Sequence, residues 1–212
     1  MQLMYLPTGM INSEKHIATF LIITFVMLAG FMLSGCGIFE TRGAEEPGAG
    51  TGSGFQQPDR PELVISNLQS AVANLNTVNY IRSLNEESFE FTPASVALDN
   101  DPQLWQSWST EDEETYFNNL RASAQNQSGH VLQLSNEQRT TLPDGGERIT
   151  ASYSLSVFHN RTSTSVPNVA TGNFIMDLVQ DESGLWSIAS WTDNGSGSSF
   201  TWSDFKAVFY RD

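Results

Sequence analysis

Apolar positions along the chain fall into three regimes. Ile17 to Leu33 is a charge-free stretch of seventeen residues, mostly Ile, Leu, Phe, Met and Val. Glu40 to Asp59 carries one large apolar side chain, Phe55, among Gly-Ala-Gly-Thr-Gly-Ser-Gly at 48–54 and Pro47 and Pro58. From Asp59 onward the spacing becomes regular. Val64, Ile65, Leu68, Ala71, Val72 and Leu75 repeat at helical spacing after Asp59 and Pro61, which open a helix. Thr77 is expected to cap a shorter helix with Tyr80, Ile81 and Leu84 on one side, and Ser88 to Thr92 alternates as a short strand ended by Pro93. Trp105 and Trp108 lead into Thr110-Glu111-Asp112-Glu113, which reads as a capping box for a third helix burying Phe117, Leu120 and Ala124.

The period then changes from 3.6 to 2. Strands are expected at Val131 to Leu142 and Glu147 to Phe158, joined by the hairpin turn Pro143-Asp144-Gly145-Gly146. Two more follow at Val169 to Gln180 and Leu185 to Asp193, and Phe200 to Tyr210 closes the chain as a helix or strand. Helices followed by a run of strands predict an α+β fold, with N-terminal helices packed on a four-stranded antiparallel meander.

Composition sets the limits. Across 212 residues, apolar residues make up 39%, enough for one core. The 24 acids against 10 bases give a net charge of −14, which argues against nucleic acid and anionic lipid surfaces as partners. Cys36 is the only cysteine, so no intramolecular disulfide and no cysteine-rich metal site can form. One acid and one base precede it; the remaining 23 acids and 9 bases, Lys206 the only lysine among them, place the acidity downstream.

Glu14 and Lys15 before the apolar stretch, and Leu33-Ser34-Gly35-Cys36 after it, describe an export signal. The exit resembles the lipobox of bacterial lipoproteins. That resemblance implies a diacylglycerol on the Cys36 sulfur and cleavage before Cys36. The alternatives are a retained membrane helix, for which seventeen residues lie at the short limit, and a plain cleaved signal. Met10 would give a more ordinary signal than Met1. Gly37 points to outer-membrane sorting by analogy with enterobacterial lipoproteins. The expected organisation is a signal peptide at 1–35, a flexible tether at 36–58 and a folded domain at 59–212, held at the cell envelope by its lipid.

The Pro61-to-Leu68 opening, Tyr80 before Phe89-Glu90-Phe91, Trp105 with Glu111 and Glu114, Trp186 to Asp193, and Trp202 to Lys206 carry a second likeness. Their order and spacing resemble the nuclear-transport-factor-2-like (cystatin-like, SnoaL-like) superfamily, and lipoproteins of unassigned function within it. The resemblance implies a curved sheet wrapped around the first helix as a cone. Enzymes of the superfamily, such as ketosteroid isomerase and scytalone dehydratase, work inside it with an Asp or His base and Tyr donors. Tyr80, Tyr153, His130, His159 and Asp193 are the candidates here, and none matches either enzyme's motif residue by residue.

Taken singly, Tyr153 shares a strand face with Ile149, Ala151 and Leu155 and reads as a core tyrosine with a satisfied hydroxyl. His159 and His130 read as exposed near loops, and Asp193 as a turn cap. Tyr80, Trp105, Tyr153 and Trp191 are the candidate pocket residues, since aromatics at a cone mouth can stack on flat ligands or sugars; the alternative reading of the five tryptophans is closure of the core between helix and sheet. Glu111 to Glu114 complement a helix N-terminus. Two histidines 29 residues apart without cysteine partners make no metal site, and no cofactor is expected. The favoured reading is a non-catalytic module that binds a small molecule or envelope protein. Ser152, Ser154 and Ser156 form a polar outer sheet face suited to a homodimer or partner. The alternatives are an isomerase or dehydratase, which needs a buried acid or histidine beside Tyr80 or Tyr153, and a structural subunit of an envelope complex.

Overall fold

A computed structural model describes residues 54–125, 128–161, 166–195, 197 and 199–211. The chain divides at Ala49/Gly50, and these residues belong to its second unit. The proposed signal, Cys36 and most of the tether therefore lie outside the described residues. Among those described, no helix is long and apolar enough to cross a membrane.

Helix α1 spans Pro61–Ala73 and α2 Thr77–Ile81; strand β1 is Glu90–Thr92, α3 Ser95–Asn100 and α4 Thr110–Ser123. Strands β2 (Val131–Thr141), β3 (Glu147–Ser156), β4 (Val169–Gln180) and β5 (Trp186–Asn194) follow, and α5 (Trp202–Tyr210) ends the chain. Pro61 at the first turn fits α1 because a proline there gives up an N–H that has no helical partner. Two caps fall one residue earlier than the motifs implied. Asn76, not Thr77, accepts the Asn79 N–H at 3.1 Å. Asp112 accepts the backbone N–H and hydroxyl of Ser109, not Thr110, at 2.8 and 2.9 Å. Residues 95–100 form a helix, α3, that no periodicity announced.

The sheet has five strands in the order β1-β5-β4-β3-β2, and it is mixed, which corrects the four-stranded antiparallel expectation. The β2–β3–β4–β5 meander is antiparallel as its turns require. Strand β1 adds to its far edge, with Phe91 beside Trp191 and parallel to β5. Alternation signalled a strand at Phe91, but partner and direction are long-range choices: the chain passes through α3, α4 and three strands before β5 arrives. In β3, Ile149, Ala151, Tyr153 and Leu155 face the helices and are buried. Opposite Tyr153 sits Gly172. A Cβ there would lie 2.7 Å from Tyr153 Oη and from the Asn194 carbonyl, so only glycine leaves room for the phenol ring. Helix α1 packs on β2 and β5, and α4 on α5, which encloses one core rich in aromatic side chains.

Candidate functional site: the buried polar core

Helices α4 and α5 each carry a charged residue in their buried stripe. Glu113 shares its face with Tyr116, Phe117 and Leu120, and Lys206 shares its face with Trp202, Phe205 and Phe209. Both charged side chains are fully buried and form an ion pair. Tyr80 Oη donates to Glu113 Oε2 at 2.8 Å, and Trp108 Nε1 donates to Oε1 at 2.8 Å. The Lys206 ammonium also lies over the rings of Phe91 and Trp191, at 3.5 and 4.0 Å from their centroids. Burial pushes the Lys206 amine down to about 8, with Glu113 and then Asp193 pulling against it. Burial, and after it Glu113, pushes the Tyr80 and Tyr116 phenols well above the ordinary tyrosine value.

A second network adjoins the first through Trp202. Tyr153 Oη donates to Asp193 Oδ1 at 2.7 Å and accepts from the Trp202 N–H at 2.8 Å. The other Asp193 oxygen takes the N–H and hydroxyl of Ser203, at 2.7 and 2.5 Å. Asp193 is 1% exposed, so it holds the first turn of α5 from inside the core rather than capping a surface turn. Burial first, then Asp193, raises the Tyr153 phenol. Trp202 Nε1 donates to Tyr116 Oη at 3.0 Å, which links the two sets.

All four candidate pocket residues belong to this cluster: Tyr80 and Trp191 with no exposed surface, Tyr153 at 4% and Trp105 at 7%. Trp105 Nε1 is occupied by the Ala97 carbonyl at 3.1 Å. Trp191 Nε1 has no hydrogen-bond partner among the described residues; its ring stands perpendicular to Trp202 at 4.5 Å. The expectation of exposed histidines fails. His159 is fully buried, with one ring nitrogen 3.1 Å from the Pro167 carbonyl and the other accepting the Arg161 N–H, and its ring meets Phe205 and Phe209 edge-on. His130 is 4% exposed and accepts the Phe158 N–H at 3.3 Å. Each ends at a loop whose backbone it holds, so a loop-adjacent position did not mean solvent.

Sequence reasoning missed Glu113 and Lys206. Glu113 was grouped with the acids of the α4 N-terminus, although 113, 116, 117 and 120 are one helical face. The same spacing, 202, 205, 206 and 209, marks Lys206. Chemically, the core contains two acid–tyrosine pairs and a lysine of lowered basicity, the components of general acid–base chemistry. Each is already engaged by protein groups, and Glu113, Lys206 and Tyr80 have no solvent-contacting surface. Among the described residues, no cluster of side chains could hold a metal ion.

No protein-family model matches the sequence, and no curated protein does. Solved structures do match in shape. A provisionally named aromatic ring hydroxylase from Novosphingobium aromaticivorans superposes with a TM-score of 0.50 at 13% identity, covering 68% of this chain and 92% of its own. Nuclear-transport-factor-2-like proteins from Cytophaga hutchinsonii (10% identity, 63% of this chain and 93% of that one, TM-score 0.45) and Rhodospirillum rubrum (8%, 64% and 98%, 0.46) are also among the neighbours. At such identities the likeness is one of fold: an α+β domain with helices on a five-stranded mixed sheet and nuclear-transport-factor-2-like neighbours.

Proposed function

We propose that this chain is a lipid-anchored protein of the bacterial cell envelope whose nuclear-transport-factor-2-like domain is a non-catalytic binding module, with the outer face of its sheet as the contact surface. The observation that carries this reading is that the interior is filled. Tyr80, Glu113, Lys206, Trp191 and Trp202 have no exposed surface, so no substrate touches them in this conformation. The outer face is open, polar and nearly uncharged. Thr150, Ser152, Ser154 and Ser156 of β3 stand beside Ile175, Asn173, Thr171 and Val169 of β4. Among the paired outward positions of β2 to β5 the only charges are Arg148 and Asp177, which bind each other through two contacts of 2.6 Å, and β1 adds one exposed acid, Glu90, beside Ser190 at the sheet edge. On a chain of net charge −14, this is where a second body meets least repulsion.

Native mass spectrometry of the detergent-extracted protein tests the reading. The expected result is a dimer, or a complex with an envelope protein, that Ser154→Arg reduces to monomer. A mass unchanged by Ser154→Arg overturns the sheet-face assignment. For the anchor, Cys36→Ser should release the protein from membranes and abolish fatty-acid labelling; continued labelling refutes it.

A second reading, a pocket enzyme of isomerase or dehydratase type, draws support from the Tyr80–Glu113 and Tyr153–Asp193 pairs, since it requires a buried acid beside one of those tyrosines. It further requires the core to open. A bound small molecule in the native spectrum, lost in Tyr80→Phe, would favour it.

A further inference from the structure

Residues 54–58, which composition assigns to the tether, are seated on the body at four points. Gly54 has φ +57°, and a Cβ on it would come within 2.6 Å of Ser70 Oγ on α1. The Phe55 ring lies under the Arg82 guanidinium, 3.9 Å from its centroid. Gln56 gives its N–H to Asn67 Oδ1 at 2.8 Å and takes Asn67 Nδ2 on its carbonyl at 2.7 Å. The carbonyl of Pro58, itself buried, accepts the Trp186 N–H at the start of β5, at 2.8 Å.

Asn67 is 1% exposed, yet both ends of its carboxamide serve the main chain of a single residue. The N–H and C=O of one residue point to the same side only in extended backbone, so Asn67 reads an extended strand whatever side chain Gln56 carries. The left-handed glycine, the aromatic under a cation and the buried proline supply the sequence preference.

We propose that α1, Arg82 and the first residue of β5 form a binding site for an extended peptide of the pattern Gly-aromatic-x-x-Pro, and that residues 54–58 occupy it as a ligand from the same chain. This site is on the helix side of the molecule and does not depend on the sheet-face reading. A resident ligand at millimolar effective concentration excludes a competitor present at micromolar concentration.

The test uses the full-length protein in detergent and a fluorescent peptide of residues 50–60. Wild type should bind it weakly. Gln56→Pro deletes the N–H given to Asn67 and loosens the resident strand, and it should tighten peptide binding by at least about ten-fold. Adding Asn67→Ala should remove that gain. No gain, or a gain that survives Asn67→Ala, overturns the proposal. Arg82 is exposed, so Arg82→Ala spares the core and keeps the test decisive if Asn67→Ala unfolds the domain. Arg82→Ala should weaken binding of the native peptide to the Gln56→Pro protein but leave a peptide carrying Phe55→Ala unaffected; equal effects on both peptides overturn the aromatic seat.

Discussion

The buried Lys206–Glu113 pair permits a stringent test of the core. Lys206→Met leaves Glu113 as a fully buried carboxylate that keeps its Tyr80 and Trp108 donors and loses its countercharge. Removing one member of a buried ion pair costs ~3–5 kcal/mol, a large part of the ~5–15 kcal/mol that stabilises a typical domain. Glu113→Gln combined with Lys206→Met removes both charges at similar volume. The glutamine carbonyl can accept from Trp108, and its amide can donate to the Tyr80 oxygen. Exchanging a buried pair for neutral groups is often neutral or stabilising, so the double variant should recover to within about 1 kcal/mol of wild type. The double variant is then ~2–4 kcal/mol more stable than Lys206→Met alone, and the coupling between the two sites exceeds this by whatever Glu113→Gln costs by itself. Urea unfolding at pH 7, followed through tryptophan emission, reads it, because Trp108 and Trp191 touch the pair. A loss below about 1 kcal/mol for Lys206→Met alone, or a double variant no more stable than the single, would refute the picture of a mutually compensating pair. Preserved stability in the double variant with loss of a bound ligand would instead assign the pair a functional role.

Stability should also depend on alkaline pH in two phases. The Lys206 amine sits at about 8 in the fold against 10.5 when unfolded. Between those values the unfolded chain binds more protons, so stability rises with pH from about 8 to 10; the neutral amine is relieved of its desolvation and still donates to Glu113, which a Lys206→Met side chain cannot do. Above ~10 the sign reverses, because unfolded tyrosines ionise while Tyr80 and Tyr116, held well above 10.0, stay neutral. Thermal melts from pH 7 to 11 should peak near pH 10, and a steady decline from pH 8 would contradict the assignment. Gly172→Ala should destabilise by at least ~1–3 kcal/mol, since its Cβ meets backbone as well as the Tyr153 hydroxyl; an unchanged melting temperature would show that β4 yields freely.

Much of the fold was legible because local rules and tertiary packing agree. The 3.6-residue stripe from Val64 to Val72 and the two-residue alternation from Ile149 to Leu155 face the core as their periods require. Thr201 and Asp204 cap α5 by the same box chemistry that Ser109 and Asp112 use ahead of α4, so the helix at 202–210 was within reach of the sequence. By itself the sequence determined the order and type of most elements, the inward face of β3 and the acidity. Tertiary structure alone decided that β1 joins β5 in parallel, because a three-residue strand lacks enough pattern to choose a partner. It also sent Glu113 inward while Asp112, its neighbour, capped the helix. The countercharge for Glu113 is 93 residues away, and no local signal can announce a buried charge whose compensation arrives only when α4 and α5 meet. The same holds for His159, whose position beside a loop predicted water and whose partners, Pro167 and the rings of α5, are brought to it only by the fold.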